Sequence, residues 1–465
     1  MQLPQRGAPK ARFLLGLLCT SIFCRGARGL AVKSNGPSCA IIGGGISGLR
    51  CAQVFADKFD VTVFDTGRLR PGGRCASRLP GDRHAEADER PSQQYQYLSH
   101  CTVDHAAQII TVPNGEIFHS FADQVEKWES TGVLAKFESG SLFSVEEDRA
   151  SGFRLNEFPN EQPAFYGTQG MCFIPLEMIK ERSFKVVQDV WVSPSNGVRY
   201  QRKSGQWKVQ AQGKTLGYFD KLVIAHNGKC ADRLMSKSPA KSVHQLLQVN
   251  FAATVPKHGG NRMTLNSIYS LTFVLRHQDL PLLKAFPDSL KGAFIQNESN
   301  LRYLTCQSRK HYSENLEDVE VWTLLSSAPF AKKYKAPQEF LPEEVARSVT
   351  DLMLRSLEQS VSLPEQSLQP VESRLQLWGA AVPLNTWQNE CNFIFDEEFQ
   401  VGVCGDWLCH PSIGGAWTSG EQLALHMRGE KSPSVGLDGQ FRRSEETHKS
   451  GIASISCDTK ANITS

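Results

Sequence analysis

The amino-acid sequence predicts an α/β fold with two parts, a parallel-sheet domain built from discontinuous segments and an α+β domain containing a mostly antiparallel sheet. Three observations support this prediction. Residues 38–65 follow a strand–helix–strand pattern. Short apolar strands end in polar turns again at 220–226 and 401–406. Between them, residues 267–325 contain short runs of alternating apolar and polar side chains, which is typical of an antiparallel sheet with one covered face.

The composition is that of a globular protein without a strongly charged face. The chain has 465 residues, enough for two domains with substantial cores, of which 40% are hydrophobic and 21% charged. The formal net charge is only +3, and acidic and basic residues are interspersed along the chain. We therefore expect no basic face of the kind that binds nucleic acid.

Both ends of the chain differ from the rest. Basic residues precede an apolar run at 13–23 that is too short to span a bilayer. This layout predicts a cleaved targeting leader over residues 1–30, directing the protein to secretion or into an organelle such as a plastid, and it predicts no transmembrane span. Residues 429–465 are rich in Ser, Lys, Glu and Gly with few large apolar residues, so we expect a disordered tail.

The first strand leads into a glycine-rich turn, Gly43-Gly44-Gly45-Ile46-Ser47-Gly48. In a turn of this kind Gly43 permits the sharp bend, and Gly45 lets a ligand approach the backbone. Gly48 lets the following helix pack closely on the strand. These are the steric requirements of a pyrophosphate-binding turn.

The residues after the turn extend this pattern into a dinucleotide site. Ile46 and Ser47 open the helix, whose N–H groups and positive dipole end favour phosphate groups. A second strand, 61–64, ends at Asp65, 17 residues after Gly48, where a carboxylate can accept hydrogen bonds from ribose hydroxyls. Together these features predict a Rossmann-type domain that binds NAD or FAD.

A second glycine element selects between these two cofactors. In Arg70-Pro71-Gly72-Gly73-Arg74-Cys75-Ala76-Ser77, Gly72 and Gly73 permit close backbone approach and Arg74 can neutralise phosphate charge. The element resembles the R-x-G-G-R-x-x-S/T motif of the FAD-dependent amine-oxidase (flavin monoamine oxidase) superfamily. The resemblance implies FAD as the cofactor. Nothing indicates covalent attachment, at Cys409 or elsewhere, so we expect non-covalent binding.

Two later segments strengthen the resemblance. Asp104-His105-Ala106-Ala107-Gln108 is similar to the D-x-G-A-Q element of these flavoproteins, with Ala106 where Gly is usual, and it implies that Gln108 lies near the flavin. Gly405 and Asp406 match a Gly-Asp pair that contacts the pyrophosphate or the ribityl chain in the family.

The helix that follows this pair is also part of the resemblance. It opens at 412–416, and the family implies that Gly415 and Ala416 face the pyrimidine edge of the flavin. The dipole of the helix would stabilise negative charge on the reduced flavin there. Gly414 stands where family members often have an acidic residue, which should matter little to FAD binding.

Within the superfamily, the chain resembles renalase and its plant and bacterial relatives. The similarity covers roughly residues 38–428 and is seen at 170–171, 292–297, 324–331 and 377–383. The FAD-binding domain is then expected to consist of residues 38–110, 170–235 and 395–428. The substrate domain is expected to consist of residues 111–169 and 236–394.

The renalase resemblance implies an oxidoreductase of the oxidase type. Hydride would pass from a small reduced-nicotinamide-like substrate, such as NAD(P)H or its isomers, or from an amine to flavin N5, and molecular oxygen would reoxidise the flavin to yield hydrogen peroxide. A true amine oxidase is the first alternative, although the lysine that monoamine oxidases typically place near N5 has no counterpart here in a matching motif. A non-catalytic interaction protein on the same fold is the second, disfavoured by the retained FAD motifs.

The sequence offers few candidates for contacts with the substrate. Trp378 and Tyr166 are candidate aromatic walls, although ordinary core or rim positions explain them equally well. His226 and His410 follow strands near the cofactor segments, but a hydrogen-bonded structural histidine is the simpler interpretation. Thirteen cysteines occur without a CxxC spacing or a neighbouring histidine cluster, so we expect no metal site.

Overall fold

The computed structural model describes most of the chain between residues 36 and 444. The described residues are 36–82, 95–158, 163–180, 183–192, 196–277, 282–311, 316, 318–337, 341–429 and 433–444. The predicted leader, residues 1–30, lies outside them, as does the last part of the predicted tail.

A six-stranded sheet collects its strands from widely separated segments. They are Ser38–Ile42 (β1), Asp60–Phe64 (β2), Lys185–Val187 (β10), Lys221–Ile224 (β14), Ile394–Asp396 (β23) and Val401–Val403 (β24). The order is β10-β2-β1-β14-β24-β23, with every pair parallel except β24 and β23. Because the central strands are buried on both faces, they are continuous apolar runs rather than alternating ones.

Two helices pack together against this sheet. Ile46–Phe55 (α1) follows the glycine turn, and Ile413–Met427 (α10) follows β24. They approach so closely that a Cβ atom at Gly420 of α10 would lie 2.1 Å from the carbonyl oxygen of Ser47. Glycine at this position therefore sets the distance between the two helices that flank the predicted cofactor turn.

A seven-stranded sheet forms the other main layer. Its strands are Leu142–Asp148 (β7), Gly152–Glu157 (β8), Ile268–Arg276 (β17), Gly292–Ile295 (β18), Leu301–Cys306 (β19), Val319–Ser326 (β20) and Glu372–Trp378 (β21). The order is β21-β17-β20-β19-β18-β7-β8, and all pairs are antiparallel except β18 with β7. The amphipathic helix Glu343–Ser360 (α9) contributes Val349, Met353 and Leu357 to the core of this layer.

Shorter elements complete the described part of the fold. The remaining strands are Ser77–Arg78 (β3), Val103–Asp104 (β4), Ile110–Thr111 (β5), Leu134–Lys136 (β6), Ala164–Gly167 (β9), Val198–Gln201 (β11), Gln206–Ala211 (β12), Lys214–Phe219 (β13), Val249–Phe251 (β15), Met263–Leu265 (β16), Asn385–Gln388 (β22) and Gln440–Arg443 (β25). The remaining α-helices are His119–Ser130 (α2), Phe173–Lys180 (α3), Gly228–Met235 (α4), Lys241–Leu247 (α5), Leu282–Ala285 (α6), Gln307–Lys310 (α7) and Ala328–Lys333 (α8).

The predicted fold class is confirmed. A Rossmann-type parallel sheet assembled from discontinuous segments stands beside a mostly antiparallel second sheet. The bounds of the two domains stay a prediction, because the described residues form one compact unit. No helix within the described ranges is long and apolar enough to cross a membrane.

The prediction of disorder from residue 429 onward is wrong for residues 433–444. Strand β25 pairs antiparallel with β22, and the rings of Phe441 and Trp387 lie 4.9 Å apart. The sparse apolar content of this segment suggested a solvated tail. A single buried aromatic side chain and a strand edge that accepts backbone hydrogen bonds are enough to hold it.

Candidate dinucleotide site and apolar chamber

A cavity of about 410 Å³ opens at the carboxyl ends of β1, β2, β14 and β24. This is the edge at which open α/β sheets bind their ligands. Most residues predicted from the sequence line it, namely Gly43, Gly45, Ile46, Ser47, Asp65, Gly72, Gly73, Arg74, Gln108, Trp378, Gly405, Asp406 and Ala416. Gly48, Gly415 and Tyr166 are not among the lining residues.

The glycine turn has the geometry that its sequence predicts. Gly43 has φ +115°, a conformation that side chains rarely adopt. A Cβ atom at Gly48 would lie 2.0 Å from the carbonyl oxygen of Gly43 and 3.0 Å from the Cβ of Ala225. Gly48 therefore supports the turn from behind through packing and does not itself face a ligand.

Gly45 and Gly73 form a bare backbone cradle on the cavity wall. No atom lies within 4 Å of the position that a Cβ at Gly45 would occupy, although the surrounding turn is well packed. A Cβ at Gly73, where φ is +55°, would meet only the Cα of Gly45 at 3.6 Å. The two glycine elements thus adjoin each other and leave open the space that a pyrophosphate requires, so the residues present fit a dinucleotide.

Asp65 is held in place by the backbone around it. Its Oδ2 accepts a hydrogen bond from the N–H of Gly44 at 2.7 Å, and its Oδ1 accepts one from the N–H of Gly67 at 2.8 Å. The carboxylate lines the cavity at the end of β2. Each carboxylate oxygen has a second lone pair, so Asp65 can still accept hydrogen bonds from ligand hydroxyls.

Arg74 and Asp406 form an ion pair across the cavity wall. The Nη1 of Arg74 donates to Oδ2 of Asp406 at 2.7 Å and to the carbonyl oxygen of Ala381 at 3.0 Å. Burial opposes the charge of Arg74, but the carboxylate of Asp406 outweighs this effect and holds the pKa of the guanidinium above its usual value. The Arg74 side chain remains 35% exposed, which leaves its other N–H groups available to a ligand.

The start of α10 borders the cavity, but Gly415 has a structural role there. The N–H of Gly415 donates to the Oγ of Ser412 at 3.0 Å, which caps the helix. A Cβ at Gly415 would lie 1.9 Å from the carbonyl oxygen of His410, so the position requires glycine. Ile413 and Ala416 line the cavity whereas Gly415 does not, so the predicted contact of Gly415 with the cofactor stays a prediction.

The glycine at position 414 also has a steric explanation. A Cβ there would lie 2.8 Å from the Cδ of Pro113 and 2.9 Å from Phe121. The loop before α2 therefore occupies the space into which an acidic side chain would project.

Part of the cavity is an apolar chamber with an aromatic wall. Trp378 lines it with Ile268, Leu325, Ala380, Ala381 and Val382. The Nε1–H of Trp378 donates to the carbonyl oxygen of His105 at 2.8 Å, and the His105 ring stacks on the indole at 5.6 Å. His105 thus fixes Trp378 as an aromatic wall of the cavity.

Tyr166, the other candidate aromatic wall, is not among the residues that line the cavity, and its role stays a prediction. The residue is buried in β9, with its ring 4.9 Å from Phe137. Its hydroxyl accepts a hydrogen bond from the Nζ of Lys291 at 3.0 Å. Tyr166 packs in the same core cluster as the chamber residues Ile268, Leu325 and Val382, but it does not itself line the cavity.

A buried polar cluster lies beside the cavity and centres on Asp104. Its Oδ1 accepts hydrogen bonds from the Oγ of Ser77 at 2.6 Å and the N–H of Met171 at 2.8 Å. Its Oδ2 contacts the Nζ of Lys310 at 3.0 Å and the Nε2 of His311 at 2.9 Å. Three segments that the sequence singled out, at 70–77, 104–108 and 170–171, therefore meet at one carboxylate.

The charges in this cluster depend on each other. The side chains of Asp104 and Lys310 are fully buried, and that of His311 is 1% exposed. Burial alone would raise the pKa of Asp104, but the charges of Lys310 and His311 outweigh burial and lower it. Burial lowers the pKa of Lys310, and Asp104 partly offsets that shift. The partners of Asp104 therefore offset the cost of burying its carboxylate charge.

Gln108 lines the cavity, but its side-chain amide is turned toward the cluster. The Nε2 donates to the carbonyl oxygen of Asp104 at 2.6 Å, and Oε1 accepts from the Nε2 of Gln307 at 3.2 Å and the Nζ of Lys310 at 3.3 Å. Gln108 therefore lines the candidate site, while its side-chain amide forms hydrogen bonds within the protein interior.

Lys310 and His311 are not predicted from the sequence. Lys310 lies 206 residues from Asp104 along the chain and has no motif of its own. The only local signal is a group of polar residues directly after the buried strand β19. No group of three or more metal-ligating side chains occurs among the described residues.

Residues 41–125 match the model of the NAD(P)-binding Rossmann-like domain. This segment contains the glycine turn, Asp65 and the Gly72–Gly73–Arg74 element. The match agrees with the dinucleotide site that the geometry indicates.

Three solved structures, two of them oxidases by name, share the fold at low sequence identity. Cyclohexylamine oxidase from Brevibacterium oxydans matches with a TM-score of 0.52 and 12% identity, over 84% of this chain and 98% of that chain. Putrescine oxidase bound to putrescine matches with a TM-score of 0.51 and 12% identity, over 84% and 98%. Reduced UDP-galactopyranose mutase matches with a TM-score of 0.54 and 10% identity, over 86% and 97%. At these identities the likeness establishes a common fold.

Proposed function

We propose that this protein is an FAD-dependent oxidoreductase of renalase type that oxidises a small, reduced-nicotinamide-like substrate. The glycine wall, Asp65 and Arg74 would hold FAD, which would supply a hydride acceptor at N5 and pass the electrons to molecular oxygen to give hydrogen peroxide. The fold shared with putrescine oxidase and cyclohexylamine oxidase supports an oxidoreductase with a small-molecule substrate.

The observation that carries this proposal is the composition of the cavity. One wall consists of bare glycine backbone, Asp65 and the Arg74–Asp406 pair, and an apolar chamber beside Trp378 opens into the same space. The glycine wall leaves room for a pyrophosphate, and Asp65 can accept hydrogen bonds from ribose hydroxyls. The chamber excludes water from a substrate held next to a redox cofactor.

The charges around the chamber favour a neutral, flat substrate. Among the described lining residues the acids are Asp65 and Asp406, and the first is bonded by backbone N–H groups while the second is paired with Arg74. A protonated amine would therefore enter an apolar chamber without a free counter-ion, at a high desolvation cost. The indole face of Trp378 offers a stacking surface to a planar ring.

A true amine oxidase is the alternative, supported by the names of two fold neighbours. No lysine occurs among the described residues that line the cavity. The buried Lys310 is paired with Asp104 and contacts the side chain of Gln108 on the side away from the cavity lining. This arrangement favours the renalase-type substrate over an amine.

The first experiment tests for the cofactor. Purified protein should show a flavin absorption spectrum, and acid precipitation should release all of the flavin into the supernatant, as expected for non-covalent FAD. A correctly folded but colourless protein that takes up no added FAD would rule out both the renalase-type oxidase and the amine oxidase.

The second experiment tests the substrate class. Flavin bleaching is followed after rapid anaerobic mixing with NADH, NADPH, their isomers and a panel of primary and secondary amines. Fast bleaching by a reduced nicotinamide, followed by peroxide release when oxygen is admitted, is the expected result. Bleaching by amines alone would instead establish the amine-oxidase alternative.

We also propose that residues 1–30 direct the protein to the secretory pathway or to an organelle and are removed there. The basic residues followed by a short apolar run support this proposal. N-terminal sequencing of the mature protein from its native source tests it, and recovery of an intact Met1 would contradict it.

A further inference from the structure

One aromatic side chain at the cavity belongs to none of the motifs described above. Trp191 lines the cavity together with Phe64, Asp65 and Thr66, yet it is 52% exposed. Among the described residues it is the one exposed large hydrophobic side chain that lines the cavity. An indole left open to solvent at a ligand cavity is a ready contact surface.

The backbone around Trp191 is fixed to the end of β2. The N–H of Val190 donates to the carbonyl oxygen of Asp65 at 3.0 Å, and the N–H of Asp189 donates to that of Gly67 at 3.2 Å. On its other side, Val192 is buried and forms a β-bridge with Ala211. The exposed indole therefore stands on an ordered segment that is tied to the acid proposed to hold the ribose.

The neighbouring chemistry indicates what would cover this indole. Asp65 is suited to ribose hydroxyls, and a base attached to that ribose must lie within a few ångströms of them. A purine is flat, and the face of an aromatic side chain offers it a stacking surface. We propose that Trp191 stacks on the adenine base of the bound dinucleotide and forms the platform for that base. The inference rests on the proposed dinucleotide cofactor but not on the redox reaction.

The test uses ADP, which carries the base, the ribose and the pyrophosphate but no flavin. ADP is titrated by calorimetry into the full-length protein after removal of bound flavin, for wild type, Trp191→Ala and Trp191→Phe. We expect the alanine variant to bind ADP about tenfold or more weakly, and the phenylalanine variant to retain most of the affinity. Tyr218→Ala is the matched control, because Tyr218 is 53% exposed and does not line the cavity.

Intrinsic fluorescence gives a second readout that does not depend on the stability of the alanine variant. Stacked adenine should quench part of the tryptophan emission of the wild type, and this part should be missing from Trp191→Phe. Equal quenching in both proteins, unchanged ADP affinity in Trp191→Ala, or no ADP binding to the wild type would each overturn the proposal. If ADP binds through Trp191 but no substrate bleaches the flavin, the redox proposal fails and this inference stands.

Discussion

The glycine turn at 43–48 and the cluster around Asp104 both shape the candidate site, but they differ in how they are built. The turn consists of consecutive residues, and its function depends on side chains that are missing at Gly43, Gly45 and Gly48. The cluster joins a carboxylate to Lys310 and His311, more than 200 residues further along the chain, and depends on charges that are wholly buried.

We therefore expect the glycine turn to contribute mainly to ligand binding and the Asp104 cluster mainly to stability. Gly45 faces open space, so its replacement should affect the ligand more than the fold. Lys310 does not line the cavity and is fully buried against Asp104, so its replacement should affect the fold first. The following predictions test this division, from the largest expected effect to the smallest.

Lys310→Met should lower the free energy of unfolding by about 3–5 kcal/mol, because it leaves the carboxylate of Asp104 buried without its main counter-charge. Chemical denaturation followed by circular dichroism measures the change. Lys180→Met is the control, since Lys180 pairs with Glu177 at the surface, where ion pairs contribute about 0–1 kcal/mol. Equal stability of the two variants would contradict a structural role for the cluster.

Gly45→Val should weaken FAD binding by about a hundredfold or more while leaving the free energy of unfolding of the apoprotein nearly unchanged. The new side chain meets no protein atom and projects into the predicted pyrophosphate path. Flavin retention after gel filtration and thermal melting of the apoprotein measure the two effects.

Gly48→Ala provides the opposite case within the same turn. Its Cβ would lie 2.0 Å from a backbone carbonyl oxygen, so we expect a loss of stability of about 1–3 kcal/mol. For the preceding variant, Gly45→Val, stoichiometric FAD in the purified protein would refute the placement of the cofactor.

The dependence of stability on pH should reflect two histidines, the half-buried His226 beside the glycine turn and the buried His105 beside Asp104. Burial lowers the pKa of both imidazoles, that of His105 well below its ordinary value. In the unfolded chain the pKa of a histidine is about 6.5. Above this pH both histidines are neutral in both states, and their contribution to stability is complete. As the pH falls below it, this contribution is lost, because only the unfolded chain takes up the protons.

For each histidine the limiting slope is about 1.4 kcal/mol per pH unit. Urea titrations between about pH 7.5 and pH 5.5 measure the free energy of unfolding across this window. His226→Gln should reduce the slope. An unchanged slope in that variant would mean that His226 is protonated in the folded protein.

Trp378→Phe should have the smallest effect, lowering kcat/KM for the bleaching substrate about three- to tenfold. The phenyl ring keeps a stacking face but loses the hydrogen bond to the carbonyl oxygen of His105, a bond of about 0.5–1.5 kcal/mol. Trp207→Phe is the control, since its Nε1–H donates to the carbonyl oxygen of Phe399 away from the cavity. If both variants lose the same activity, the loss reflects stability and not the chamber wall.

Residues whose role depends on their immediate neighbours could be predicted from the sequence. Gly43, Gly48 and Asp65 follow from the strand–turn–helix spacing, and the structure places them accordingly. Tyr166 and Gly415 do not line the cavity: the ring of Tyr166 packs against Phe137, and the N–H of Gly415 donates to the Oγ of Ser412. A motif specifies the path of the backbone well, but the direction of a side chain depends on what packs against it.

By itself, the sequence determined the class of fold, the glycine turn, its acidic partner and the dinucleotide class of ligand, because these depend on backbone conformation over a few consecutive residues. Only the tertiary structure decided that Lys310 and His311 neutralise Asp104, that the amide of Gln108 points inward, that β25 anchors residues 433–444 and that Trp191 stands exposed at the cavity. Each of these features depends on contacts between segments that are distant in the sequence. The energies of these contacts arise from burial and charge pairing in the assembled core, and they produce no periodic pattern in the sequence.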